Sequence, residues 1–182
     1  MKSKEQFKQL KAYPLSNEDI LEAIDIEPTN IFSSDKLNDA YSIDELLDRL
    51  GRGVLFFRTE DNQTGHWIGI LKQGDTIEVF DPYGFSPDEF KKKLGAGNGL
   101  NPDMSILEEL INNSGYKMTV NKVQNQSFSP DVATCGRHSV MRLMFRHLNN
   151  KQYNQFLKQI KKQDGINPDE LATGLTYELI GK

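Results

Sequence analysis

The chain has 182 residues, 37% of them hydrophobic and 26% charged, with a formal net charge of -4 at pH 7. That size and balance fit one soluble globular domain with a proper core, and the negative charge argues against a general nucleic-acid binder. No apolar run approaches the roughly 20 residues that span a bilayer, and the opening MKSKEQFKQLKAY has no apolar signal region. The single cysteine permits no internal disulfide and cannot supply a zinc site alone. A protein that is not secreted, touches no membrane, holds no metal and sits in a reducing compartment is expected.

Ser16 precedes Asn17-Glu18-Asp19 and suits an N-cap with acids in the first turn, predicting a short amphipathic helix through about Ile24. Ser42-Ile43-Asp44-Glu45 reads as a capping box, with Leu46, Leu47 and Leu50 on one apolar face and Gly51 at the helix end. Val54 to Phe57 is a continuous apolar run of strand length, a candidate central strand. His66 to Lys72 and Thr76 to Phe80 flank Gln73-Gly74-Asp75, which predicts a hairpin. Asp81-Pro82-Tyr83-Gly84 breaks the second strand, and Pro87-Asp88-Glu89-Phe90 starts a helix ending near Gly95. Gly95 to Asp103, rich in Gly, reads as a mobile surface loop. Met104 to Asn113 reads as a helix, and Tyr116 to Val123 alternates as a half-buried strand. A helix opening at Cys135 carries Val140, Leu143, Met144 and Leu148 at helical spacing, and helices near Gln152 to Lys162 and Pro168 to Ile180 follow. The sum is a single α+β domain with helices at both ends.

Cys135 lies in VATCGRHSV, a Thr-Cys-Gly turn entering a helix. Taken alone, such a cysteine reads first as a small buried hydrophobe. Read as a nucleophile, it needs a base and an acid from elsewhere, and a helix N-terminus would favour its thiolate. His138 and His147 share its helix and point along it, so a packing or capping role suits His138 and a last-turn cation role suits His147. His66 opens a predicted core strand beside the Thr59 to Thr64 loop, where a rigid element can present a base at a cleft edge. An ordinary half-buried strand histidine is the plainer reading of it. Asp81 ends the strand that pairs with the His66 strand, so the two become neighbours, and the carboxylate can accept the imidazole Nδ1 proton. By itself the Asp81 stretch is a turn signal. Gly136 allows a substrate carbonyl to approach, so that the Cys135 amide can donate to an oxyanion. A side-chain amide from Val123-Gln124-Asn125-Gln126 would be the second donor, with Gln126 preferred over Gln124 because it lies past the strand end.

In the order His, acid, Gln, Cys, with GHWIGI, EVFDPYGFS and TCGRHSV, the chain resembles the adenovirus-type, adenain-like maturation proteases of the wider clan of Ulp1-like, SUMO-protease-like cysteine peptidases. PLSNEDI and IFSSDKL are similar to the version of this family found in virophages. The resemblance covers about residues 14–148 and leaves about 150–182 as a helical C-terminal extension. It implies a central mixed β-sheet flanked by helices, with the nucleophile at a helix N-terminus. It also implies Cys135 as nucleophile, His66 as general base and ion-pair partner, Asp81 as its orienting acid and Gln126 as oxyanion donor. Trp67 would form part of the cleft wall, and Gly136 would lie against substrate. The Gln to Cys interval is longer than is usual in the family, which leaves Gln124 open beside Gln126.

The function so implied is a cysteine endopeptidase that trims viral capsid and virion precursor proteins during particle maturation. It would act as a monomer in the virion and the host cytoplasm. Removal of ubiquitin-like modifiers from host proteins is one alternative, and a catalytically dead virion structural protein is another. With Cys135, the chain's one thiol, serving as nucleophile, no activating peptide can be tethered by a disulfide, so activation by DNA or a peptide is either noncovalent or unnecessary, and no cofactor is required. Arg142, Arg146, Lys151, Lys158, Lys161 and Lys162 tilt the last third towards positive charge, a pattern that reads first as solvated helix faces and second as weak DNA binding.

Overall fold

The computed structural model describes residues 4–58, 65–86, 89, 92–93 and 104–182. The expected Thr59 to Thr64 and Gly95 to Asp103 loops lie outside the described residues, as does most of the helix expected from Pro87. A mixed five-stranded sheet forms the centre, in the order β1 (Ile31–Ser33), β2 (Arg52–Arg58), β3 (Gly65–Gln73), β4 (Thr76–Phe80) and β5 (Lys117–Val120). The hairpin of β3 and β4 and its partner β2 are antiparallel, while β1 and β5 join the two edges in parallel. Among the described residues six α-helices flank it: α1 (Lys4–Ala12), α2 (Asn17–Ile24), α3 (Met104–Asn113), α4 (Cys135–Met144), α5 (Asn150–Asp164) and α6 (Pro168–Ile180). The α+β class with a mixed sheet flanked by helices is therefore as the sequence predicts.

The apolar runs in β2 and β3 are continuous because helices cover both faces of the sheet. On one face Leu55, Ile68, Ile70 and Ile77 meet Leu107 and Ile111 of α3. On the other, Val54, Trp67 and Leu71 meet Ile20 of α2 and Val140 and Leu143 of α4. Each such Ile or Leu, fully buried, contributes about 1.5 to 3 kcal/mol. The last two helices complete a third core cluster, in which Tyr153, Leu157 and Ala172 close over Phe80 and Met141. They are thus packed into the body of the domain. Among the described residues no helix is long and apolar enough to cross a membrane.

Two helices differ from expectation, for local reasons. The Ser42 region forms only a 3-10 turn, Ile43–Leu46, with Leu47 already extended. Asp48 Oδ1 accepts from the amides of Leu50 (2.9 Å) and Arg52 (2.8 Å), which bends the chain into a loop before a second turn can form. Helix α4 stops at Met144, so Leu148 and His147 lie beyond it and His147 is not a last-turn residue. Arg142 accounts for this: its guanidinium donates to the carbonyls of Phe145 (3.1 Å) and Leu148 (3.0 Å), and forks onto buried Glu78 at 2.8 and 2.7 Å. Arg142 is fully buried, which removes it from the cations that could face a nucleic acid. Helix α1, without a buried residue, had no apolar stripe to announce it.

Candidate active site

The hairpin register ends with Gly69 opposite Phe80. Continued towards the open end, it sets Ile68 beside Asp81 and His66 beside Tyr83. The His66 and Tyr83 rings stack at 4.9 Å with 9° between their planes. His66 Nε2 donates to Asp81 Oδ1 at 2.8 Å, with both residues buried. The expected donor was Nδ1. Stacking on Tyr83 presents the Nε2 edge to the end of β4, which leaves Nδ1 for the cysteine.

The turn after β4 holds the acid from several sides. Asp81 Oδ1 accepts from the Tyr83 amide (2.9 Å) and Oδ2 from the Phe85 amide (3.3 Å), so the side chain closes the turn it belongs to. Asn121, just past β5, grips the Asp81 backbone with its side chain, accepting from the amide (2.7 Å) and donating to the carbonyl (2.6 Å). Gly84 has φ +72, and a Cβ there would stand 2.7 Å from the Val123 backbone, so only glycine lets the turn reach the segment that follows β5. Pro82 O then accepts the amides of Asn125 and Gln126, both at 2.9 Å. The same turn thereby positions the acid and Gln126.

Cys135 is the first residue of α4 and is buried. His66 and the backbone amides of Trp67 and Gly136 are the groups that act on its thiol. Burial would push the thiol up, but the hydrogen bond and charge of His66 and those two amides bring its pKa below the ordinary value. Burial likewise opposes the imidazolium, yet the charge and hydrogen bond of Asp81, joined by the thiolate, raise His66 from 6.5 to about 10. Both shifts favour the thiolate–imidazolium pair, the reactive state of a cysteine nucleophile.

These groups meet at a cleft of about 630 Å³ whose lining includes His66, Trp67, Tyr83, Gln126, Cys135 and Leu15. Gln126 Nε2 donates to Tyr83 Oη at 3.2 Å and to Val132 O at 3.3 Å, both long bonds. Gln124 points elsewhere, into a different cavity, and donates to the Gln126 carbonyl at 2.9 Å. Of the two amides, the fold brings Gln126 to the cysteine. Trp67 stands in the cleft wall, its indole nitrogen donating to Leu15 O at 3.0 Å and its ring against Phe56.

Gly136 packs against the cleft wall. A Cβ there would come within 3.1 Å of both Leu15 and Trp67, so the glycine lets the wall close against the helix start and lends its amide to the sulfur. His138 is the packing residue its helical position suggests, fully buried, with Nε2 donating to Asp169 Oδ1 at 2.9 Å. Sequence reasoning missed Tyr83, Asn121 and Asp169. Tyr83 stood within a stretch read only as a turn, whereas Asn121 and Asp169 reach the site across long sequence separations with no local signal. Burial, with the charges of Cys135 and Asp81, pushes the Tyr83 hydroxyl pKa up and keeps it protonated.

No protein-family profile matches the chain. It is 33% identical over 178 residues to "Uncharacterized protein V9" of Sputnik virophage, across 93% of this chain and 99% of that protein. Among solved structures it is similar to the central domain of the uncharacterized Lpg1148 protein from Legionella pneumophila, with TM-score 0.44 and 14% identity over 93% of this chain and 99% of that one.

Proposed function

We propose that this chain, which belongs to the family of the Sputnik virophage V9 protein, is a cysteine endopeptidase of the adenain-like, Ulp1-like type. The observation that carries this reading is the meeting of His66, Asp81, Gln126 and Cys135, from four separate segments, around one cleft. Burial opposes both the thiolate and the imidazolium, so the two charges persist there only because each has the other, and His66 also has Asp81, as a partner. A nucleophile in a cleft gives that arrangement a use.

In the reaction, Cys135 Sγ attacks the scissile carbonyl carbon, and the carbonyl electrons move onto oxygen. The Cys135 amide, at a helix start where amides lack intrahelical acceptors, donates to that oxyanion. Gln126 Nε2 joins it by exchanging one of its long bonds. His66 gives its proton to the leaving amine as the C–N bond breaks, leaving a thioester. Water, deprotonated by His66, then releases the acid product and the thiolate. Asp81 keeps the imidazole oriented throughout.

Kinship with a virophage protein and the resemblance of the site motifs together favour virion precursor proteins as substrates, cut during particle maturation in the virion or the host cytoplasm. The test incubates wild type, Cys135→Ala and His66→Ala with coexpressed capsid precursors and reads products by intact mass. Cleavage by wild type alone is the expected result. Uncut precursors with rapid release of a ubiquitin-like modifier from its fusion would replace the substrate assignment, and an inert wild-type thiol would overturn the enzyme reading.

A further inference from the structure

We propose that Asp169 is a positioning residue whose single buried carboxylate fixes the nucleophile segment and the oxyanion segment to one another. The proposal rests on the peptidase reading above. Asp169 is the second residue of α6 and only 3% exposed. Its Oδ1 accepts from Thr134 Oγ1 at 2.6 Å and from His138 Nε2 at 2.9 Å. Its Oδ2 accepts from the Ser127 amide at 3.0 Å and from Ser127 Oγ at 2.6 Å.

Thr134 immediately precedes Cys135, and Ser127 immediately follows Gln126. One carboxylate therefore holds the residue beside the nucleophile and the residue beside the oxyanion donor. Thr134 occupies the N-cap position of α4, yet its side chain makes no cap to its own helix; the hydroxyl goes to Asp169 instead. His138, one turn into α4, gives the carboxylate a second grip on the same helix. Asp169 lines the cavity behind Gln126 rather than the cleft, so it acts through its neighbours and does not touch substrate.

Packing alone does not call for an acid here. Burying a carboxylate is costly, and an apolar side chain would fill the same space. What a carboxylate uniquely offers is four accepted bonds from three residues on two segments. Burial opposes its charge, but His138 and the hydroxyls of Ser127 and Thr134 hold it well below the usual carboxylate range. An oxyanion donor displaced from its nucleophile by about 1 Å costs on the order of 100-fold in rate.

Two reagents separate positioning from stability in the full chain. Iodoacetamide alkylates the Cys135 thiolate by displacing iodide, with no oxyanion formed. p-Nitrophenyl acetate acylates it through a tetrahedral oxyanion, giving a thioester and p-nitrophenolate. Asp169→Asn should lower the ratio of acylation to alkylation rate constants about 10- to 100-fold, with alkylation itself changed less than about threefold. A merely structural role would lower the reactive fraction and leave that ratio unmoved, which would overturn the proposal. If Asp169→Asn does not fold, Thr134→Val and Ser127→Ala each remove one arm; a ratio unchanged in both is equally decisive against it. A wild-type thiol inert to both reagents would overturn this proposal and the peptidase reading together. A wild type that acylates but cuts no virion precursor would remove only the substrate assignment, and the Asp169→Asn ratio would still decide.

Discussion

Two histidine–carboxylate pairs lie in this domain, alike in bond length and burial and different in what surrounds them. His66 Nε2 meets Asp81 Oδ1 at 2.8 Å, and His138 Nε2 meets Asp169 Oδ1 at 2.9 Å. His66 lines an open cleft and has the Cys135 thiol as its other partner. His138 is fully sealed, and its Nδ1 has no hydrogen-bond partner among the described residues. A histidine paired with an acid is therefore not by itself a catalytic element; the third group and access to it decide. Sequence proximity points the wrong way, because His138 is three residues from Cys135 on the same helix while His66 comes from strand β3.

The strongest way to break this comparison is to remove each histidine. His66→Ala and Cys135→Ala should each abolish hydrolysis, a loss of about 10⁴-fold or more, while the fold survives by circular dichroism. His138→Ala should do the reverse. Leaving the Asp169 carboxylate and a cavity buried without that partner costs about 2 to 4 kcal/mol in denaturant unfolding, and alkylation of the folded fraction stays near the wild-type rate. Loss of thiol reactivity in His138→Ala as complete as in His66→Ala would make the two pairs functionally equivalent.

A smaller effect sharpens the choice of oxyanion donor. Gln126→Ala should lower kcat by about 100- to 1000-fold, whereas Gln124→Ala, whose amide faces another cavity, should stay within about threefold of wild type in the same steady-state assay. Equal losses would mean that both amides reach the cleft when substrate is bound.

What the sequence made legible was local or governed by register. The N-cap at Ser16, the tight β3–β4 hairpin and the nearness of His66 to Asp81 follow from short-range rules, and each is present. The nitrogen that meets Asp81 was not legible, because it depends on the Tyr83 stack, a contact outside the paired ladder. The helix expected at Ser42 was outcompeted by Asp48, whose side-chain oxygen took two amides, a tertiary choice that apolar spacing does not record. Asp169 was invisible for a related reason. In the sequence it is an acid in the first turn of a helix, an ordinary favourable placement, and only the folded chain brings Thr134, His138 and Ser127 to it.

The mildest effect is on pH dependence, and it separates the two pairs by where each leaves its mark. For His66 the folded pKa is raised to about 10, so its contribution is full below the ordinary value near 6.5 and is lost as pH rises through about 10. Cys135 is lowered, so its contribution is present above the ordinary thiol value and is lost as pH falls through the depressed one. Between those limits the charged pair persists. Alkylation by iodoacetamide should therefore hold a plateau across neutral pH, and hydrolysis, which needs the His66 proton, should decline as pH passes about 10. In His66→Ala the plateau should give way to a rise centred near the ordinary thiol value of about 8.5. The Asp169 carboxylate is also lowered, by His138, Ser127 and Thr134 against the effect of burial, so its contribution is present above about 3.9 and is lost as pH falls below it. Its signature belongs to stability in acid: the fall of the unfolding midpoint below about pH 4 should be shallower in Asp169→Asn than in wild type. A wild-type thiol that titrates like a free cysteine, with no plateau, would show that His66 and Asp81 form a structural pair like the sealed one beneath it.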